Sequence, residues 1–315
     1  MTKKTELLNQ LTSCSKDLYN REELLSEMNS LTSEMVHMVC DENVTQISDL
    51  MKQIYSMNAQ VGNRADQELA KLSKLSNEFE NQVRRLQAGI NGEEKAYKVL
   101  QRMKSNHIIL QNLQLSDGIH QTEIDFLVLK QGVATIVEVK NYHKDVFIDD
   151  NGDLYKLGKD QCCEAYLGKK MEFRAQLIKE FLNEIGYEKM KIEKVVVFTN
   201  KYIHIRNEYS GFQVCFLSRL PYLIDDFYGT GVIQFTKHLQ EMADYVQSKN
   251  EVQYFPSEMN VSQFKEAFVD AYIKIKGGEE NQARMNIFRK VKLYLHSLMS
   301  KYKETSMAER RFSHV

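Results

Sequence analysis

Thr122-Glu123-Ile124-Asp125-Phe126-Leu127-Val128-Leu129, then Lys130-Gln131-Gly132, then Val133-Ala134-Thr135-Ile136-Val137-Glu138-Val139-Lys140 read in succession as a strand, a tight turn and a second strand. A two-residue turn at Gln131-Gly132 pairs Lys130 with Val133, and counting outward sets Asp125 directly opposite Glu138. Opposed residues share a face, with β-carbons about 4.5–5.5 Å apart. Lys140, two residues beyond Glu138, projects from that face too, whereas Val137 and Val139 point the other way. A slip of one residue would destroy the arrangement. Glu123 falls opposite Lys140, and a cross-strand salt bridge accounts for it.

Two carboxylates side by side repel, so one must take up a proton unless a cation bridges them. Hard oxygen donors with positions left for water and phosphate suit Mg2+ or Mn2+ better than zinc. A neighbouring lysine can then stabilise the charge that builds on a scissile phosphate, the electrostatic part of metal-assisted phosphodiester hydrolysis.

Outward from this hairpin the texture is that of a mixed α/β domain. Gly89-Ile90-Asn91-Gly92-Glu93-Glu94 opens a helical stretch to about Met103, and His107 to Leu113 reads as a strand before the hairpin. Val146 to Ile148 and Leu154 to Leu157 form a small hairpin around Asp150-Asn151-Gly152, and a long helix is expected from about Gln161 to Ile185. Cys162 and Cys163 fall on that helix, one of them buried. Val195-Val196-Val197-Phe198-Thr199 is a β-branched run typical of a strand buried on both faces, followed by a short strand from Phe212 to Leu217.

The 315 residues hold fourteen glycines, and Gly62 alone precedes Gly89; with two prolines in the whole chain, the first 88 residues are expected to be mostly helix. Ala65, Leu69, Leu72, Ser76, Phe79, Val83, Leu86 and Ile90 alternate steps of four and three, a heptad seam that needs a partner helix. Two long helices are expected, roughly residues 3–40 and 43–88, with Asp41 or Asn43 as an N-cap. They either fold on each other or pair with another chain. The tail from Ser262 is helical again, split at Gly277-Gly278, and its second part is a basic amphipathic helix with Ile287, Phe288, Val291, Leu295 and Leu298 on one face. The expected domains are thus a helical coiled-coil module (1–88), an α/β domain (89–229) and a C-terminal helical region (230–315).

Lysine plus arginine (42) nearly cancels aspartate plus glutamate (43), which excludes a grossly basic nucleic-acid coat and makes help from a partner plausible. Five cysteines without a C-x-x-C spacing argue against a disulfide framework and a structural zinc site. With no apolar leader and no run long enough to span a bilayer, a cytoplasmic chain without membrane contact is expected.

Taken together, these residues resemble the nuclease-related domain (NERD) family, a branch of the PD-(D/E)XK nuclease superfamily. Gly89-Ile90-Asn91-Gly92-Glu93 is similar to its G-x-x-G-E helix, Glu123-Ile124-Asp125 to its E-I-D strand, Glu138-Val139-Lys140 to its E-x-K strand and Gln176 to its helix glutamine. Phe173-Arg174 stands where the family usually has Asn-Pro. The resemblance covers roughly residues 85–200. It implies a PD-(D/E)XK-like mixed α/β sheet flanked by helices, here with a long N-terminal coiled coil and a C-terminal helical tail. It also implies Glu93, Asp125 and Glu138 as metal ligands, with Glu94 an alternative to Glu93, Lys140 as the catalytic lysine and Gln176 as a positioning group. The function expected is that of a Mg2+-dependent endonuclease, a hydrolase acting on DNA more than RNA. The alternative is a weakly active or inactive nucleic-acid-binding or scaffold subunit. It would assemble through residues 1–88, with itself or a partner protein, in a defence or DNA-processing complex.

Overall fold

The computed structural model describes residues 3–11, 18–19, 21–39, 46–158, 162–228, 236–251, 255–256, 261–280 and 287. In chain order come α1 (Lys3–Gln10), β1 (Leu18–Tyr19), α2 (Arg21–Val39), α3 (Ile47–Gln60) and α4 (Asp66–Leu100). Then follow β2 (His107–Ser116), β3 (Gln121–Lys130), β4 (Val133–Lys140), β5 (Val146–Ile148), β6 (Leu154–Lys156) and β7 (Cys162–Glu164). The series ends with α5 (Leu167–Glu184), β8 (Lys191–Phe198), β9 (Ile205–Asn207), β10 (Gln213–Phe216), α6 (Leu220–Asp226), α7 (Thr236–Ser248) and β11 (Phe255–Pro256), and residues 261–280 are helical. Two compact units result, one of residues 1–83 with 255–315 and one of residues 84–254, so that the division falls within α4.

In the first unit the expected pair of long helices is broken into shorter ones. Gly62 and Asn63 take left-handed φ values of 79° and 54°, which ends α3. Asn58 closes the turn: its Oδ1 accepts from the Ala65 N–H at 3.0 Å and its Nδ2 donates to Asp66 at 3.2 Å. The expected N-caps Asp41 and Asn43 lie outside the described residues. The seam residues Leu69, Leu72, Ser76 and Phe79 are buried, Phe79 against Phe264 with ring centroids 4.5 Å apart, and Ser76 reaches Met51 Sδ at 3.1 Å. The helix over residues 261–280 runs unbroken through Gly277-Gly278 instead of splitting there. A β-carbon on Gly278 would stand 3.2 Å from Val61 and Arg64, so glycine allows this helix a close approach to the α3–α4 turn. Of the expected amphipathic tail face, Ile287 is exposed and Phe288, Val291, Leu295 and Leu298 lie outside the described residues.

Met51 and Phe264 of the same chain lie against the seam at Ser76 and Phe79, an arrangement that needs no second chain there. Light scattering on the full chain should give a mass near 36.8 kDa; a mass near twice that value would show the seam shared between two chains.

In the second unit a five-stranded sheet of order β10-β8-β4-β3-β2 is antiparallel across β2, β3 and β4 and parallel across β4, β8 and β10. Alternation divides its side chains between two cores. Leu127, Leu129, Ala134, Ile136, Val196 and Phe198 pack with α5 and α7 on one face. Phe126, Val128, Val137, Val195 and Val197 pack with Ala96 and Leu100 of α4 and with α6 on the other. Strand β8 is therefore covered on both sides, which is why it is a continuous apolar run. A smaller sheet, β7-β6-β5-β9, adds Val146, Ile148 and Leu154 to the α5 core.

Two boundaries differ from expectation. Helix α4 continues through Gly89 and Gly92 to Leu100, although each glycine costs a helix interior about 1 kcal/mol. Gly92 is needed for packing: a β-carbon there would stand 3.3 Å from the Asn141 β-carbon and 3.5 Å from Val139 and Thr199. Helix α5 starts at Leu167, not near Gln161, because Cys162–Glu164 pairs with β6 and completes the small sheet. Cys162 is half-buried and Cys163 exposed on that strand, so neither is a helix position.

Candidate active site

The β3–β4 hairpin has the expected register. Lys130 pairs with Val133 and Phe126 with Val137 around the Gln131-Gly132 turn, where Gly132 adopts φ 73°. The ladder ends there. One step further the Asp125 carboxylate accepts the Val139 N–H at 2.7 Å, so the side chain takes over a backbone partner where the two strands part. Asp125 and Glu138 are each 5% exposed.

Burying a carboxylate is costly unless it is paired, and Glu138 is paired twice. Lys140 Nζ lies 2.7 Å from Oε1 and Arg174 Nη1 lies 2.5 Å from Oε2, while Arg174 Nε donates to Thr122 Oγ1 at 3.0 Å. Lys140 also meets Glu164 of β7 at 2.6 Å, and Lys170 stands 3.7 Å from the other oxygen of Glu164. The centre is an alternating row of charges: Arg174, Glu138, Lys140, Glu164, Lys170.

Desolvation alone would raise the pKa of Glu138, but the charges and hydrogen bonds of Lys140 and Arg174 win and lower it from 4.5 to about 2. Burial would likewise lower that of Lys140, yet Glu138, Glu164 and Asp125 together hold it above its ordinary value. Lys140 therefore stays charged at any physiological pH and acts as a fixed positive charge, not as a base. Burial pushes the Tyr142 hydroxyl up to about 12, so it remains protonated.

These shifts carry a stability prediction. Glu138 titrates lower when folded than when unfolded, so its contribution is complete above about pH 4.5 and is lost as pH falls towards 2. The raised Lys140 contributes fully throughout that window, since its stabilisation fades only above its unfolded value of 10.5. Urea melts should show stability falling between about pH 4.5 and 2 more steeply in the wild type than in Glu138→Gln; equal slopes would contradict the pairing.

Asp125, Glu138 and Lys140 come together as foreseen. Gln176 does not join them: it is exposed and donates to Glu180 at 2.9 Å. Glu93 is half-buried on α4, whose apolar side packs on the sheet face opposite α5, and Glu94 is exposed beside Lys98 at 3.6 Å. Asn141 donates to the Ala88 carbonyl at 2.8 Å and accepts from Thr199 at 2.6 Å, fastening the ends of β4 and β8 to α4. Sequence reasoning missed Arg174 and Glu164. Arg174 had a signal, for it stands on the stripe Leu167, Met171, Arg174, Ile178, Leu182 that α5 buries, and a buried charge requires a partner. Glu164 had none, because its place depends on the non-local pairing of β7.

A divalent ion needs carboxylate oxygens free to coordinate it. Among the described residues no three Asp, Glu, His or Cys side chains gather as such a site requires. Both oxygens of Glu138 are already engaged by cations of the chain, so Glu93, Asp125 and Glu138 as arranged do not fit a metal held by all three.

Residues 88–199 match the family described as Nuclease-related domain, NERD. No curated protein matches the chain. Among solved structures, the small subunit of the heterodimeric restriction endonuclease R.BspD6I is similar at 12% identity over 61% of this chain and 89% of that one. The TM-score is 0.19, at which the two folds are not shown to be alike.

Proposed function

We propose that the chain is an endonuclease that hydrolyses phosphodiester bonds of DNA, with Lys140 supplying the charge that stabilises the phosphate in the transition state. The observation that carries this reading is Lys140 itself, protonated and 12% exposed between Glu138 and Glu164 at the point where β3 and β4 separate, within a nuclease-related domain. A preorganised charge in a site largely shielded from water needs no reorganisation as the reaction proceeds. Asp125, tied to the Val139 N–H, sets the spacing of the two strands at that point. Mg2+ or Mn2+ is the cofactor that the domain implies. The free thiols Cys162, Cys163 and Cys215 suit the reducing cytoplasm, and no described helix is long and apolar enough to cross a membrane.

One observation favours a second reading, a DNA-binding subunit of little or no activity that assembles through its N-terminal helices in a defence or DNA-processing complex. Glu138 is closed on both oxygens, which suits a retained fold without turnover. Supercoiled plasmid separates the two. The purified full chain with Mg2+ or Mn2+ is expected to convert it to open circles and EDTA to stop the conversion; folded protein that leaves the plasmid intact with either ion supports the second reading.

A further inference from the structure

Arg174 is 7% exposed and is held from two strands at once, by Glu138 of β4 at 2.5 Å and by Thr122 of β3 at 3.0 Å. Its Nη1 also lies 3.4 Å from Met171 Sδ, within its own helix. A guanidinium is planar, always charged and presents its donors in a rigid fork, so it fixes a carboxylate in orientation as well as in charge. Mg2+ binds a carboxylate oxygen at about 2.0–2.1 Å. An ion placed on Glu138 Oε2 would meet the guanidinium at close range, like charge against like charge, in a buried setting where water screens little. To bind there it would have to expel Arg174 from Thr122 as well as from Glu138.

We propose that Arg174 is the resident cation of this centre, a positioning residue that holds Glu138 as an ion-pair partner and keeps divalent metal off its carboxylate. Glu138 is then not a metal ligand in the wild-type chain, and Arg174 sets how strongly the centre takes up a divalent ion. This rests on reading the cluster as the centre of the nuclease-related domain. The residue that serves Glu138 from α5 is the arginine on the buried stripe, two positions before the glutamine that the motif suggested.

The test is a Mn2+ titration of the full chain followed by electron paramagnetic resonance, which counts free Mn2+ and needs no cleavage. Arg174→Gln is expected to bind Mn2+ at least tenfold more tightly than the wild type, about 1.4 kcal/mol, and Glu138→Gln in that background to abolish the gain. A smaller gain, or a gain that survives Glu138→Gln, overturns the proposal. Should Arg174→Gln fail to melt cooperatively, Glu138→Gln alone decides: unchanged Mn2+ affinity upholds the proposal and a tenfold loss refutes it. Plasmid nicking by the same preparations keeps the two readings apart. A chain that never cuts but shows the gain overturns the nuclease reading alone, and one that cuts without the gain overturns this inference alone.

Discussion

Glu138→Ala is expected to destabilise the second unit by about 3–5 kcal/mol, the range for breaking a buried ion pair by removing one partner. The cost arises from what is left behind. Arg174 at 7% exposure and Lys140 at 12% on its side chain would face each other without the carboxylate that now separates them. Lys140 would retain Glu164, while Arg174 would keep only Thr122 and the weak Met171 contact. Urea denaturation of both proteins measures the difference. A loss below about 1 kcal/mol would mean that the pair is worth no more than an exposed one. Glu138→Ala is consequently a poor probe of catalysis, because lost activity could reflect lost structure.

Lys140→Met is the cleaner probe, and it should lower the nicking rate by about 100- to 1000-fold, the range for removing one preorganised electrostatic group. The substitution keeps an unbranched side chain of similar length. It leaves Glu138 paired with Arg174 and Glu164 near Lys170, so neither carboxylate is stranded. Its melting temperature should fall by less than that of Glu138→Ala, because each carboxylate keeps a second cation, and thermal melts followed by circular dichroism set the temperature at which both proteins are folded before rates are compared. A loss smaller than tenfold would place the transition-state charge elsewhere.

What could be read from the sequence was what local chemistry decides. The Gln131-Gly132 turn and the alternation on either side of it set the β3–β4 register, and with it the meeting of Asp125, Glu138 and Lys140. The apolar run of β8 announced burial on both faces. The errors came where distant residues override local preference. Cys162–Glu164 lies next to a strongly helical stretch, yet pairing with Leu154 and Tyr155 draws it into a sheet. Gly89, Gly92, Gly277 and Gly278 looked like breaks, but close packing against neighbouring elements retains Gly92 and Gly278 inside helices. At Gly62-Asn63 the signal was visible, the lone glycine of a long helical stretch, and the heptad pattern overrode it. The motif points to Gln176, whereas the phase of α5 points to Arg174 on its buried stripe.

The central claim is that the charge of Lys140 serves phosphodiester hydrolysis. The most direct measurement compares nicking of one supercoiled plasmid by wild type and Lys140→Met, at equal concentrations of folded protein and with Mg2+ or Mn2+ present. Cutting by the wild type and a loss of about 100-fold or more in the variant is the predicted result; equal rates in the two proteins would contradict it.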